Sequence, residues 1–302
     1  MGTTYNVKFV SNDGINEKDL KLQITQVLID INQLMSTYIQ DSELSRFNQW
    51  QSIEPFVMSP QTLTVLSEAK RLGEISDGIL DVTIGPLVNL WGFGPQQRPE
   101  KIPSDATIQS IKQQIGLDKL TVGPASATKS HPELYVDLST IAKGYAVDRG
   151  MNILLEHGLS AGLVNAGGDS RIMGDRGRNA ETGQKIPWVI GVRHPRDKTK
   201  YALRLPLSDT AISTSGDYER FFIDGNERVH HILNPSTGQS ASGMASATVI
   251  GAQSILCDAL ATTVFASGVE KGLALIERFE GYDAVIIDLD GKVHYSAGFV
   301  AN

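Results

Sequence analysis

Cysteine is almost absent from this chain. Cys257 is the one cysteine in 302 residues, so no internal disulfide can form and a paired-cysteine metal site is unavailable. Such a chain suits a reducing or an oxidising compartment equally well. No apolar run approaches the roughly 20 residues of a membrane-spanning helix. There is no block of Lys or Arg either, and the net charge is −7, which argues against a nucleic-acid or anionic-membrane surface. A polyanion bound here would need a local site, helped by a metal. A Walker A loop, a Rossmann fingerprint and an HExxH motif are also missing, which disfavours a P-loop NTPase, a classical NAD enzyme and a zinc hydrolase.

What is present describes an ordinary soluble globular protein: 41% hydrophobic and 20% charged residues, with ample length for a core. Residues 1–10 alternate like a strand with no basic and apolar leader ahead of them. The protein is therefore expected either to stay inside the cell or to have lost a leader. Leu20, Ile24, Val27, Ile31 and Leu34 recur at helical spacing. Ser59-Pro60 and Ser104 are capped helix starts. The Gly/Pro-punctuated stretch from Asp77 to Pro95 reads as a loop with an aromatic centre. From Ala161 strands dominate, including one expected over Arg228 to Leu233. Helices follow near Ser254 and over Val269 to Phe279, and the chain ends in a hairpin turning at Asp290-Gly291. Helices and antiparallel-type strands alternate without a βαβ rhythm, so the expected class is α+β, as one domain over residues 1–302.

The richest segment is Asp137-Leu-Ser-Thr140-Ile-Ala-Lys143-Gly-Tyr-Ala-Val-Asp148. It follows Leu134-Tyr135-Val136, which reads as a short strand, and it opens a helix with Ser139 or Thr140 as the expected N-cap. A helix N-terminus favours an anion, and Lys143 in the first turn stands against the dipole, so something negative is expected beside it. Farther on, Asp258 and Thr262 are four residues apart on one face of a largely apolar helix. Their oxygens suit Mg²⁺, and a carboxylate in so apolar a helix needs a partner. His230 and His231 end a strand beside an Asn-Pro-Ser-Thr-Gly turn; one of the two can enter a site and act as an acid or base. Gly167-Gly168-Asp169 and Ser213-Thr214-Ser215-Gly216 are small-residue segments that could lie against a ligand or merely turn the chain.

Taken in order, these segments resemble the ApbE family, the FAD:protein FMN transferases. The likeness also includes Met1-Gly2-Thr3, Ser36-Thr-Tyr38, Ser42-Glu-Leu-Ser-Arg46-Phe-Asn48, Asp77-Gly-Ile-Leu-Asp81 through Gly85-Pro86, and His231-Ile-Leu-Asn-Pro235-Ser-Thr-Gly238. It implies a T-fold-related α+β domain of mainly antiparallel sheets with packed helices. It implies a Mg²⁺-dependent enzyme that takes FAD as substrate, moves its FMN half onto a threonine hydroxyl of a target protein and releases AMP. Carried over by position, Met1, Tyr38, Ile79, Leu80, Asp81, Asp137, Lys143 and Leu233 contact the flavin nucleotide. Thr140 (through its carbonyl), Asp258 and Thr262 hold the metal, and His231 is catalytic, with His230 facing away. The implied acceptor carries a Ser/Thr flavinylation motif, as in subunits of Na⁺-translocating quinone reductases and Rnf complexes. The implied location is periplasmic, anchored as a lipoprotein in the full precursor. Asn234 departs from the aspartate common at its position. Two other readings use the same residues: a Mg²⁺-dependent FAD pyrophosphatase giving FMN and AMP, and a non-catalytic flavin-binding protein.

Overall fold

A computed structural model describes residues 2–11, 14–96, 101–225 and 227–299; Met1, an expected flavin contact, lies outside them. The first half carries β1 (Tyr5–Phe9), α1 (Glu17–Met35), α2 (Glu43–Gln49), β2 (Phe56–Val57), α3 (Pro60–Ile75), α4 (Gly85–Leu90), α5 (Asp105–Lys112), β3 (Leu120–Val122), β4 (Ser126–Lys129) and α6 (Ala142–Glu156). Strands then follow one another: β5 (Gly162–Ala166), β6 (Asp169–Met173), β7 (Trp188–His194), β8 (Asp197–Leu207), β9 (Thr210–Gly216), β10 (Phe221–Asp224), β11 (Glu227–His230), β12 (Leu233–Asn234), β13 (Gln239–Ser240) and β14 (Met244–Gly251). The chain closes with α7 (Ser254–Ser267), α8 (Val269–Ile276), β15 (Asp283–Asp288) and β16 (Val293–Tyr295). The α+β expectation holds.

Seven strands form one sheet in the order β1-β5-β6-β9-β14-β15-β16, and each neighbouring pair runs antiparallel. One face is covered by α6 and α7 and carries the main core, with Val164, Ala211, Ala247 and Val249 beneath Val147, Leu260, Val264 and Phe265. Leu163, Ile172 and Ile212, which alternate with those residues along their strands, join Trp188, Val192 and Leu205 of the β7–β8 hairpin in a separate cluster. The pleat's period of two accounts for the segregation. Along β9 it places Ser213 and Ser215 on the side of Ala211, facing α7.

Several local expectations are corrected. Leu134-Tyr135-Val136 is buried in part but forms no strand; its ladder partner is a side chain. The Asn48 amide donates to the Val136 carbonyl and accepts from its N–H, both at 2.8 Å. The helix after it begins at Ala142, with Ile141 at the cap position and no side-chain cap, so neither Ser139 nor Thr140 caps it. Asp137 takes the Ser139 N–H at 2.8 Å instead. The stretch from Asp77 to Pro95 contains α4, started by Pro86 in its first turn. The strand expected over Arg228 to Leu233 breaks into β11 and β12, with a bend at His231.

Around that bend a further cluster forms from Leu87, Trp91, Phe93, Ile108, Phe222, Val229 and Leu233. The Trp91 indole N–H donates to the Gly238 carbonyl at 2.8 Å, tying the Asn-Pro-Ser-Thr-Gly turn to the aromatic loop. Among the described residues no helix is long and apolar enough to cross a membrane.

Candidate active site

The site grows from the crossing of α6 and α7. Gly144 lets the helices touch: a Cβ there would lie 2.2 Å from the Ser254 carbonyl oxygen and 2.8 Å from the Asp258 Cβ. One turn later Asp148 accepts from the Ser254 and Ile255 N–H groups at 3.1 and 2.9 Å, capping α7, while Arg171 holds it at 2.8 Å. The segment Lys143-Gly-Tyr-Ala-Val-Asp148 thus docks the start of one helix onto the start of the other.

That docking brings Asp258 against Lys143. Asp258 is 2% exposed; Oδ1 lies 2.7 Å from Lys143 Nζ, and Oδ2 accepts the Gly144 N–H at 2.9 Å. An unpaired buried carboxylate costs several kcal/mol, so the partner that so apolar a helix demanded is found. Lys143 also pairs with Asp169 Oδ2 at 3.0 Å. Asp169, equally buried, accepts from the Ser213 hydroxyl. Thr262, one turn beyond Asp258, shares a 3.0 Å hydrogen bond with Ser215. The anion expected beside Lys143 is therefore supplied by the chain's own carboxylates.

Two carboxylates face one ammonium, which leaves the cluster negative. Burial and then the charge of Asp258 push the Asp169 carboxyl up to about 6. Burial opposes the Lys143 charge, but Asp169 and Asp258 outweigh it and raise its pKa. Asp169 Oδ2 lacks the alignment of a hydrogen bond although it is buried. Among the described residues no three His, Cys, Asp or Glu side chains converge on one point. A metal would rest on the carboxylate of Asp258 and the hydroxyl of Thr262, with Asp169 as a further negative group. Hard oxygens around excess negative charge fit Mg²⁺. Thr140 lies half-buried in the turn leading into α6.

His231 occupies a second cluster. Its N–H and its Nδ1 both point to the Arg220 carbonyl, at 3.1 and 3.2 Å. A carbonyl only accepts, so Nδ1 carries the proton and Nε2 keeps its lone pair. Burial, then the Arg220 charge, pushes the imidazole down to about 4, and Lys143 contributes in the same direction. The ring packs edge-on to Phe93 at 6.3 Å, and Phe93 stacks on Phe222. His230 is buried: Nε2–H donates to the Ala241 carbonyl at 2.7 Å, and Nδ1 accepts from Ile232 N–H at 3.3 Å. With both nitrogens engaged, His230 is a structural residue.

Tyr38 presents a ring that is 58% exposed, while its hydroxyl donates to the Phe93 carbonyl at 2.9 Å and accepts from Arg220 at 3.2 Å. Tyr38 and His231 thus meet through Arg220, a residue in no motif. Asp137 is buried and receives a backbone bond from Ser139. Asp81 is held by the Thr83 N–H and hydroxyl at 2.7 and 2.6 Å, and burial raises its pKa. Leu80 and Ile79 pack on the main core, and Leu233 belongs to the aromatic cluster.

Comparison with known proteins places the chain in a family and matches its fold. A sequence model of the ApbE family matches residues 1–286. A Vibrio cholerae protein named FAD:protein FMN transferase is 43% identical over 304 residues, covering 99% of this chain and 89% of that protein. The solved structure of the flavin transferase ApbE from Vibrio cholerae superposes with a TM-score of 0.88 at 39% identity, covering 99% of this chain and 95% of that one. The apo flavinyl transferase ApbE of Pseudomonas stutzeri gives 0.86 at 33% identity, covering 98% and 92%.

Proposed function

The chain belongs to the ApbE family, and from that premise we propose that it is a flavin transferase, moving the FMN half of FAD onto a hydroxyl of a target protein. One observation carries the reading: a cluster of Lys143, Asp258 and Asp169 at a helix start, within electrostatic reach of a neutral imidazole whose Nε2 is free.

Phosphoryl transfer needs positioning and charge stabilisation more than covalent help. Lys143 offers its ammonium to the pyrophosphate. The acceptor threonine hydroxyl gives its proton to His231 Nε2 as its oxygen bonds to the FMN phosphorus. The bond from that phosphorus to the AMP phosphate oxygen breaks, and AMP leaves with the electron pair. A positioned base of this kind typically contributes a factor of about 10²–10⁴. The exposed ring of Tyr38 offers a stacking surface for the flavin or adenine. Asp258 and Thr262, with the Thr140 carbonyl, would hold Mg²⁺, which would supply neutralisation of phosphate charge.

The acceptor in this proposal carries a Ser/Thr flavinylation motif, as in quinone-reductase or Rnf-type redox subunits. The proposed location is the periplasm, with a lipoprotein precursor. Support for both comes from the family resemblance, and cell fractionation tests the second. Incubation with FAD, Mg²⁺ and such a subunit, followed by intact mass measurement, tests the activity. The acceptor gains one FMN if the proposal is right. Free FMN and AMP with an unlabelled acceptor indicate a pyrophosphatase instead, and co-purified but uncleaved FAD indicates a binding protein.

A further inference from the structure

Arg220 precedes β10 and is exposed. Its Nη2 donates to the Phe93 carbonyl at 2.6 Å, and its two terminal nitrogens reach the Tyr38 hydroxyl at 3.3 and 3.2 Å. Its own carbonyl accepts both the N–H and the Nδ1–H of His231. One residue therefore fixes the aromatic loop, orients Tyr38 and sets the tautomer of the imidazole.

We propose that Arg220 is itself a catalytic residue: its guanidinium takes the phosphoryl oxygens of the group being transferred, beside the His231 base. The inference rests on the flavin-transferase reading and names the part of this chain that recognises the reacting phosphate.

Three arguments lead there. First, among the described residues each hydrogen bond of the guanidinium goes to a neutral oxygen, whereas Arg171, Arg193 and Arg196 face Asp148, Glu219 and Asp217. Among the described residues no carboxylate pairs with the Arg220 charge. Second, that charge stands next to a base and weakens it. The charged and titratable groups around His231 are Arg220 on the turn, His230 preceding it and Lys143 from α6, and all three disfavour the imidazolium. Such a surrounding handicaps a base until an anion arrives. A phosphate bound by Arg220 and Lys143 offsets the positive field and brings His231 back towards the range where it accepts a proton well. Third, the planar fork of a guanidinium matches two phosphoryl oxygens at once. An arginine placed on a transferring phosphoryl group is worth about 10³–10⁵ in rate.

The step needs no co-reactant beyond FAD and the acceptor hydroxyl. The acceptor O–H proton passes to His231 Nε2, the O–P bond forms, and the P–O bond to AMP breaks with its electrons on AMP. Arg220 donates N–H groups to the non-bridging oxygens throughout and is unchanged at the end.

The experiment compares wild type, Arg220→Met and Arg220→Lys in FMN transfer to an acceptor subunit, reading kcat, the KM for FAD and the pH profile of kcat/KM. The main-chain carbonyl that orients His231 is the same in all three. Arg220→Met is expected to lose kcat by about 10³-fold, and Arg220→Lys to recover about tenfold of that, since an ammonium keeps the charge but not the fork. The acid limb of kcat/KM is expected to move to higher pH in Arg220→Met, because a neighbouring positive charge has gone. If Arg220 only braces the loop, the Met variant loses thermal stability and FAD affinity while kcat stays within about threefold, even though the acid limb moves. That result overturns the inference and leaves the transferase reading intact. A wild type that releases FMN and AMP without labelling the acceptor overturns the transferase reading, and the same three-protein comparison of P–O cleavage then decides the role of Arg220.

Discussion

Lys143 Nζ and Asp258 Oδ1 lie 2.7 Å apart, although 115 positions separate the two residues in the chain. The ammonium thus occupies an oxygen that the metal would use. Asp169, 3.0 Å away, gives it an alternative partner. A cation held by Asp258 would compete with Lys143 for that oxygen, and Asp169 would keep the ammonium paired.

Lys143→Met removes this resident cation. Calorimetric titration with Mg²⁺ in the absence of FAD should show at least tenfold tighter binding by the variant, while transfer activity falls. Equal or weaker Mg²⁺ binding would show that Lys143 does not compete for the site.

Gly144→Ala tests the helix crossing. Its Cβ would meet the Ser254 carbonyl and the Asp258 side chain, and forced overpacking costs about 1–3 kcal/mol. Denaturant unfolding should show a loss of that size, together with weakened Mg²⁺ binding as α7 is pushed away. A variant as stable as wild type would mean that the helices have room to spare.

His231→Ala leaves the buried His230 and its two hydrogen bonds untouched. The transfer rate should drop by about 10²–10⁴, with FAD affinity and melting temperature nearly unchanged. A rate within threefold of wild type would remove His231 from the mechanism.

Asp169 makes stability depend on pH. Burial, with the charge of Asp258, raises its carboxyl from 3.8 to about 6. Between those values the folded protein holds a proton that the unfolded chain has lost, so the Asp169 contribution falls as pH rises through that window. Above about pH 6 the full penalty is present. The melting temperature of Asp169→Asn relative to wild type should therefore climb between pH 4 and pH 7. A difference that does not vary with pH would mean that Asp169 titrates normally.

Much of this could be read locally in the sequence. Ser59 and Ser104 accept from Thr62 N–H and Thr107 N–H as caps should, and the i, i+4 spacing of Asp258 and Thr262 falls on one helix, as expected. What stayed hidden depends on contacts between distant residues. Leu134-Tyr135-Val136 has a strand's composition, but its partner is the Asn48 amide, which no periodicity announces. Ser139 resembles a cap, yet the helix starts at Ala142 without a side-chain cap, and Ser139 instead donates its N–H to Asp137. Asp169 and Ser213 sit on neighbouring strands that meet through a side-chain bond. Gly167-Gly168 does turn the chain, but nothing in it announced that Asp169, the next residue, pairs with Lys143. Arg220 lies in no motif, and its role follows from what its carbonyl and guanidinium touch. Pro86 reads as a breaker within a Gly/Pro-rich stretch, and it begins α4 because a first-turn position needs no N–H.

The most direct measurement follows one reaction with two readouts. Protein, FAD, Mg²⁺ and an acceptor subunit are mixed, and AMP released and FMN covalently attached are quantified over time. The two are expected to rise together, one for one, and Asp258→Ala is expected to abolish both. AMP accumulating with free FMN while the acceptor stays unlabelled, or full labelling by Asp258→Ala, would contradict the proposed transfer.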